Sequence, residues 1–261
     1  MKSIHIITVS DGKLKTLIPT LKSIDSQNFK GIKNFVISKK KIVNIKDIYK
    51  TKKRFFIHKK NSSIYEAMNH GLIKSKNNHL IFLNSGDVFF SNSSLKIIKQ
   101  YIKKNPKICL MFISVLKNNK NYFVPKKKIF FSKNYLTHSS FIRPPNDKDI
   151  GFNIKNKITA DGDWMKDNIK KFKIKKIYKS VTTFYLGGVS NLPSKKSLKM
   201  KINTGVISIS KELLKFFLLR LINKNLFYKI IYYFKYDSIQ FDKIKKNIEN
   251  NIEINESKSH I

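Results

Sequence analysis

The sequence predicts an α/β fold with a largely parallel sheet, and three observations carry that prediction. β-branched runs alternate with helical patterns through about the first hundred residues, the runs are apolar on both faces, and one of them ends in a polar, glycine-containing turn. With 261 residues, 41% of them apolar and 12% aromatic, the chain is long enough for one sizeable core or two small ones.

Residues 3–9 (Ser-Ile-His-Ile-Ile-Thr-Val) read as the first buried strand. Lys13 to Ser26 follows as a helix, with Leu14, Leu17, Ile18, Leu21 and Ile24 on one face and Pro19 as a point of kinking. Residues 34–38 and 54–58 read as the second and third strands. The next helix has a clear start: Ser63-Ile64-Tyr65-Glu66 fits a capping box, and Ile64, Ala67, Met68, Gly71 and Leu72 form the apolar stripe behind it. His79 to Leu83 is the next strand. Further on, residues 108–116, 122–124 and 174–186 look like strands, 164–171 a helix, and 143–157 a mobile loop. Gly187-Gly188 closes that region, 190–197 is a linker, and 246–261 a frayed tail. Residues 210–234 form a strongly apolar helical stretch, which Asn223-Lys224-Asn225 divides into two shorter helices.

Composition excludes whole classes. The apolar content rules out collagen-like and disordered chains, and the lone Cys109 rules out a disulfide scaffold and points to a reducing compartment. No N-terminal signal peptide and no membrane-spanning run is legible. A formal net charge of +38 invites a nucleic-acid reading. Arg54, Arg143 and Arg220 are the only arginines, however, so 51 of the 54 basic residues are lysine, and base readout favours arginine. Drift towards A/T-rich codons accounts for most of that charge. No specific nucleic-acid partner is expected, and a lysine-rich RNA-binding module is a weaker alternative. In so basic a chain the 16 acidic residues become informative, above all Asp87 and the group Asp161, Asp163 and Asp167.

Leu83-Asn84-Ser85-Gly86-Asp87 lies at the carboxyl end of a strand, where open α/β sheets bind ligands. A small turn ending in a carboxylate suits a metal–diphosphate group, although the same residues make ordinary turns. The ordered set of Thr8-Val9-Ser10, residues 20–29, residues 64–71, residues 79–87, residues 138–143, residues 159–164 and Gly187-Gly188-Val189-Ser190 resembles inverting glycosyltransferases of family 2. It is most like the bacterial colanic-acid, capsule and O-antigen branch, over about residues 1–195.

The resemblance implies a GT-A fold: a mostly parallel central sheet flanked by helices, with a C-terminal helical extension. It divides the chain into a transferase domain (1–195), a basic apolar helical region (196–245) and the tail (246–261). It also implies a hexosyl- or N-acetylhexosaminyltransferase, working from a nucleotide-sugar donor onto a glycan or polyprenyl-diphosphate-linked acceptor. Asp87 would hold Mg²⁺ or Mn²⁺, and Asp161 would be the catalytic base, with Asp163 as its fallback or as an orienting group. Thr8, Val9, Ser10, Asn61, Tyr65, Asn69, Asn84, Ser85 and Gly86 would form the donor pocket. His138 is either a phosphate or acceptor contact or a histidine satisfied inside the protein, and Arg143 is either a phosphate contact or solvent-facing. Family members carry acidic residues after the second strand and before the capped helix. Here those places hold Ser38-Lys39-Lys40-Lys41 and Asn61, which leaves a non-catalytic relative scaffolding an assembly complex as the main alternative. The apolar, lysine-bearing C-terminal helices suit an anionic membrane surface, or else docking on the catalytic domain or a second copy of the chain. The expected location is cytoplasmic, peripheral at the inner face of the bacterial membrane.

Overall fold

Strands β1 (Ile4–Ser10), β2 (Ile32–Ser38), β3 (Arg54–His58) and β4 (His79–Phe82) stand in the order β3-β2-β1-β4 with every pairing parallel. They belong to a computed structural model that describes residues 3–42, 51–118, 121–147, 150–186 and 209–240, together with 194, 195 and 198. All seven residues of β1 are buried, as a strand covered on both faces requires. Helix α1 (Leu14–Asp25) buries Leu17, Leu21 and Ile24, and α2 (Ile64–Lys74) covers β1 and β2 from the face that carries Ile7 and Ile37. Both halves of the capping box form: Ser63 Oγ accepts from the Glu66 amide at 3.3 Å, and Glu66 Oε2 from the Ser63 amide at 2.6 Å. One member of the expected stripe is displaced. Ile64 is exposed, and Tyr65 is buried in its stead.

The second half adds β5 (Val88–Phe89), α3 (Ser94–Lys104), β6 (Cys109–Asn118), β7 (Asn121–Pro125), α4 (Lys127–Phe131), β8 (Phe141–Ile142), α5 (Ala160–Phe172) and β9 (Ile174–Tyr185). In the second sheet only β6 and β9 run parallel; the other pairings are antiparallel. Mutual hydrogen bonds between the backbones of Leu80 and Arg143, at 3.0 and 2.9 Å, tie this sheet to the edge of β4. Two core clusters fill the two faces. One gathers Phe82, Phe141, Phe152 and Trp164, with Phe152 stacked on Trp164 at 4.8 Å; the other gathers Ile4, Ile81, Ile98 and Phe112.

Two expectations need correction. Residues 143–157 are not a free loop where they are described. The Asn69 amide brackets Phe152, donating to its carbonyl at 3.0 Å and accepting from its N–H at 2.7 Å, and Trp164 Nε1 donates to Ile150 O at 2.8 Å. The helix expected at 164–171 begins at Ala160, so Asp161 and Asp163 lie in its first turn. The C-terminal stretch does divide at Asn223, giving α6 (Ile209–Leu221) and α7 (Lys224–Tyr232), with the Asn223 side chain accepting from the Leu226 amide at 3.0 Å. Strand β10 (Tyr236–Gln240), which the polar sequence there does not announce, pairs antiparallel with β7. No helix among the described residues is long and apolar enough to cross a membrane. Gly187-Gly188-Val189-Ser190, most of the linker 190–197 and the tail 246–261 lie outside the described residues.

Candidate active site

The turn after β4 is built by the neighbouring strand and helix. Hydrogen bonds from the Leu83 and Ser85 amides to Ile7 O and Val9 O, both 2.9 Å, carry the β1 pairing beyond the end of β4. Gly86 then sits at φ +106, a conformation that favours glycine, and the Asp87 amide closes the turn on Asn84 O at 2.8 Å. Two hydroxyls of α1 hold it in place: Thr20 Oγ1 accepts from the Gly86 amide at 3.0 Å, and Thr16 Oγ1 meets Ser85 Oγ at 2.9 Å. The outcome is a fixed Asp87, 5% exposed, at the carboxyl end of the parallel sheet.

Its partner is His138, in a single helical turn (His138–Ser140) before β8. Buried hydroxyls clamp that turn: Ser139 Oγ meets Ser114 Oγ at 3.1 Å, which in turn meets Thr182 Oγ1 at 3.1 Å, and Ser140 Oγ donates to Phe112 O at 2.9 Å. The imidazole spans two carboxylates from opposite halves of the chain. Nε2 lies 3.6 Å from Asp87 Oδ2 and 3.1 Å from the Asn84 amide nitrogen, and Nδ1 donates to Asp161 Oδ2 at 3.2 Å. Tyr65 OH donates to the other oxygen of Asp161 at 3.3 Å. Both oxygens of Asp161 are therefore oriented, while its side chain keeps 29% exposure and stays reachable.

The electrostatics follow from this geometry. Burial alone opposes a charged ring at His138, but the hydrogen bonds and charges of Asp161 and Asp87 outweigh it and push the ring up to about 10. Burial also opposes charge on Asp161, yet the His138 bond and charge hold it below the usual carboxylate range. At Asp87 burial wins and the carboxyl is pushed up despite His138. Tyr65 is pushed up as well, first by burial and then by the charge of Asp161. The arrangement thus favours a charged imidazole between the two carboxyl groups.

Of the residues expected at the site, Asp87, Asn84, His138, Asp161 and Tyr65 converge, with Ser85 and Gly86 forming the turn beneath them. Others stand elsewhere. Asp163 accepts from Asn156 Nδ2 at 3.0 Å and pairs with Lys166 at 3.6 Å, facing solvent. The Thr8 hydroxyl accepts from Asn34 Nδ2 at 3.1 Å inside the sheet, in a network that Arg54 Nε extends to Asn34 Oδ1 at 2.9 Å. Val9 is core and contributes its carbonyl to the turn, and Ser10 Oγ accepts from the Gly12 amide at 3.0 Å as β1 ends. Asn61 is exposed at φ +57 before α2. The Asn69 amide is engaged by the Phe152 backbone. Arg143 is 1% exposed beside Leu80, at the amino end of β4, so it is neither solvent-facing nor near the centre. The clamp residues Ser114, Ser139 and Thr182 are not legible in the sequence, because isolated hydroxyls in apolar segments carry no pattern.

No family model and no curated protein matches the sequence. Solved structures match it through their fold. The S. aureus TarS fragment 1–349 with UDP-GlcNAc aligns at a TM-score of 0.60 and 15% identity, over 80% of this chain and 69% of that one. The same fragment with UDP gives 0.58 and 16%, over 81% and 68%. The mannosyltransferase PcManGT from Pyrobaculum calidifontis, in complex with GDP-Man and Mn²⁺, gives 0.53 and 9%, over 77% and 60%. These likenesses show the fold, which is the α/β architecture of GT-A glycosyltransferases with its mostly parallel central sheet.

Proposed function

We propose that the chain is a metal-dependent inverting glycosyltransferase that moves one sugar from a nucleotide-sugar to a bacterial surface-glycan acceptor. One observation carries this reading: carboxylates from the β4 turn and from the first turn of α5 meet on a single imidazole at the carboxyl end of the sheet. The names of the fold neighbours, which include UDP-GlcNAc and GDP-Man complexes, support the donor class.

Among the described residues no group of three or more His, Cys, Asp or Glu is placed to hold a metal ion, so a divalent cation would rest on few protein ligands, with substrate phosphates and water completing its shell. Asp87 Oδ2, buried and without a hydrogen bond although 3.6 Å from His138 Nε2, is the hard oxygen donor that Mg²⁺ and Mn²⁺ prefer. Held there, the cation would supply positive charge to the departing diphosphate. Asp161 takes the proton of the acceptor hydroxyl as that oxygen attacks the anomeric carbon from the face opposite the leaving group, which inverts the configuration. His138 and Tyr65 each hold one of its oxygens, so the carboxylate keeps one orientation. The same bonds keep it ionised while reducing its basicity. Gly86 and Ser85 set the backbone on which Asp87 is presented.

Turnover of nucleotide-sugars, read as released nucleoside diphosphate and as the anomeric configuration of the product, tests the assignment. Asp161→Asn and Asp87→Ala are each expected to lose at least about a hundred-fold in kcat. Unchanged turnover in both variants overturns it. The near-complete burial of Asp87 favours a second reading, a non-catalytic relative that scaffolds a glycan-assembly complex. Nucleotide binding with no turnover of any donor by the intact chain would select that reading.

A further inference from the structure

The C-terminal helices turn one apolar row inward and leave another outside. Inward, Phe227 and Tyr228 of α7 are buried with Leu116 and Phe123. Outward, Leu214, Phe217 and Leu221 of α6 recur at i, i+3 and i+7 and are 69%, 55% and 82% exposed. Leu226, Ile230, Tyr233 and Phe234 repeat the pattern along α7 and the turn after it, and the last two are 71% and 81% exposed. The inward row already packs against the core, so the outward one is surplus to folding, and exposed apolar rows of this kind mark an interaction face.

Charge decides what that face meets. Arg220, Lys224, Lys229 and Lys235 stand exposed among these apolar residues, and no Asp or Glu occurs from Leu213 to Lys235. A second copy of the chain would bring cation against cation across a two-fold interface. An anionic bilayer suits both features, with the apolar row at the acyl boundary and the cations among the headgroups. Helices of 13 and 9 residues, too short to cross, suit a seat on the surface.

We propose that the outward face of α6 and α7 is a docking surface for an anionic lipid bilayer. The helices that carry the seat are themselves anchored near the candidate active site: Phe184 packs against the inward Phe227 cluster, and its ring lies 5.7 Å from that of His138. The surface stands or falls independently of the transfer reaction.

Flotation of the full chain with vesicles tests it, comparing phosphatidylcholine alone with phosphatidylcholine carrying phosphatidylglycerol. The chain is expected to float with the anionic vesicles only. Leu221→Ser/Phe234→Ser, at two solvent-facing positions, is expected to melt like the parent and to partition about ten-fold less, as is Lys224→Glu/Lys229→Glu. The serine variant matters because a charge of +38 draws any such protein to anionic lipid without a seat. Undiminished anionic binding by that variant overturns the proposal, and so does equal flotation with neutral vesicles. A dimer in light scattering that the serine variant dissolves would assign the face to a second copy, which also overturns it.

Discussion

Replacing His138 by Phe keeps a ring of similar size against Phe184 and removes the cation between Asp87 and Asp161. Two buried or partly buried carboxyl groups are then left on either side of an apolar ring with no counter-charge. Breaking a buried ion pair by deleting one partner typically costs 3–5 kcal/mol, largely through the charge left behind. Asp161, with a 29% exposed side chain, can recover some hydration, whereas Asp87, with 7%, cannot. The lower end of the range applies, about 3 kcal/mol. For a domain of this size each kcal/mol moves Tm by about 2–4 °C, so the variant is expected to melt about 6–12 °C below the parent in metal-free buffer. With Asp87 in its proposed role of holding a divalent cation, Mn²⁺ with a nucleoside diphosphate should restore part of the loss. Differential scanning calorimetry reads both effects. A variant that melts within about 2 °C of the parent would show that the imidazole does not bridge the two acids.

Three other perturbations probe the supporting structure. Gly71→Ala would place a Cβ 2.5 Å from Ile7 Cγ2 and 3.2 Å from Ile37 Cδ1; overpacking should outweigh the helix-propensity gain and lower stability by about 1 kcal/mol, read by denaturant melts, and a stabilised variant would contradict the close approach of α2 to β1. His5 is buried beside Phe35 with both ring nitrogens unpartnered, and burial, then Lys33 and Arg143, lower its pKa to about 4. Between about 6.5 and 4 the unfolded chain therefore binds the extra proton, and stability falls as pH drops through that window. His5→Phe should remove this part of the acid sensitivity and add about 1 kcal/mol at neutral pH, measured by urea melts at several pH values. Asn69→Ala frees the Phe152 backbone, and limited proteolysis should then cut near residues 150–153 several-fold faster, while an unchanged digestion pattern would mean that the loop holds without the tether.

Much of the first half is legible in the sequence because each element obeys a local rule. The Ser63–Glu66 box fixes where α2 starts, and the run Ser3–Val9 is apolar enough to be central in a sheet. The Asn84-Ser85-Gly86-Asp87 turn announces itself through Gly86 and a carboxylate surviving in a basic chain. The second half follows long-range terms that no local pattern carries. Its mostly antiparallel sheet, the β10 edge strand and the Leu80–Arg143 link depend on which strands meet, not on their residues. The motif positions of Asn69 and Thr8 suggest a donor pocket, and no local pattern shows that the Asn69 amide also brackets the Phe152 backbone or that the Thr8 hydroxyl accepts from Asn34 inside the sheet. His138 admits two readings from sequence, and the structure shows the second: it is satisfied inside the protein, with the two candidate functional acids as its partners.

Titration of the chain with UDP or GDP in the presence of Mn²⁺, followed by calorimetry, bears most directly on whether Asp87 and Asp161 divide the labour of one cleft. Binding is expected in the parent, at least about ten-fold weaker binding in Asp87→Asn, and near-parental affinity in Asp161→Asn, since the proposed roles give only the first acid to the cation and diphosphate. Equal affinity in all three proteins, or no binding of either nucleotide by the parent, would contradict the assignment.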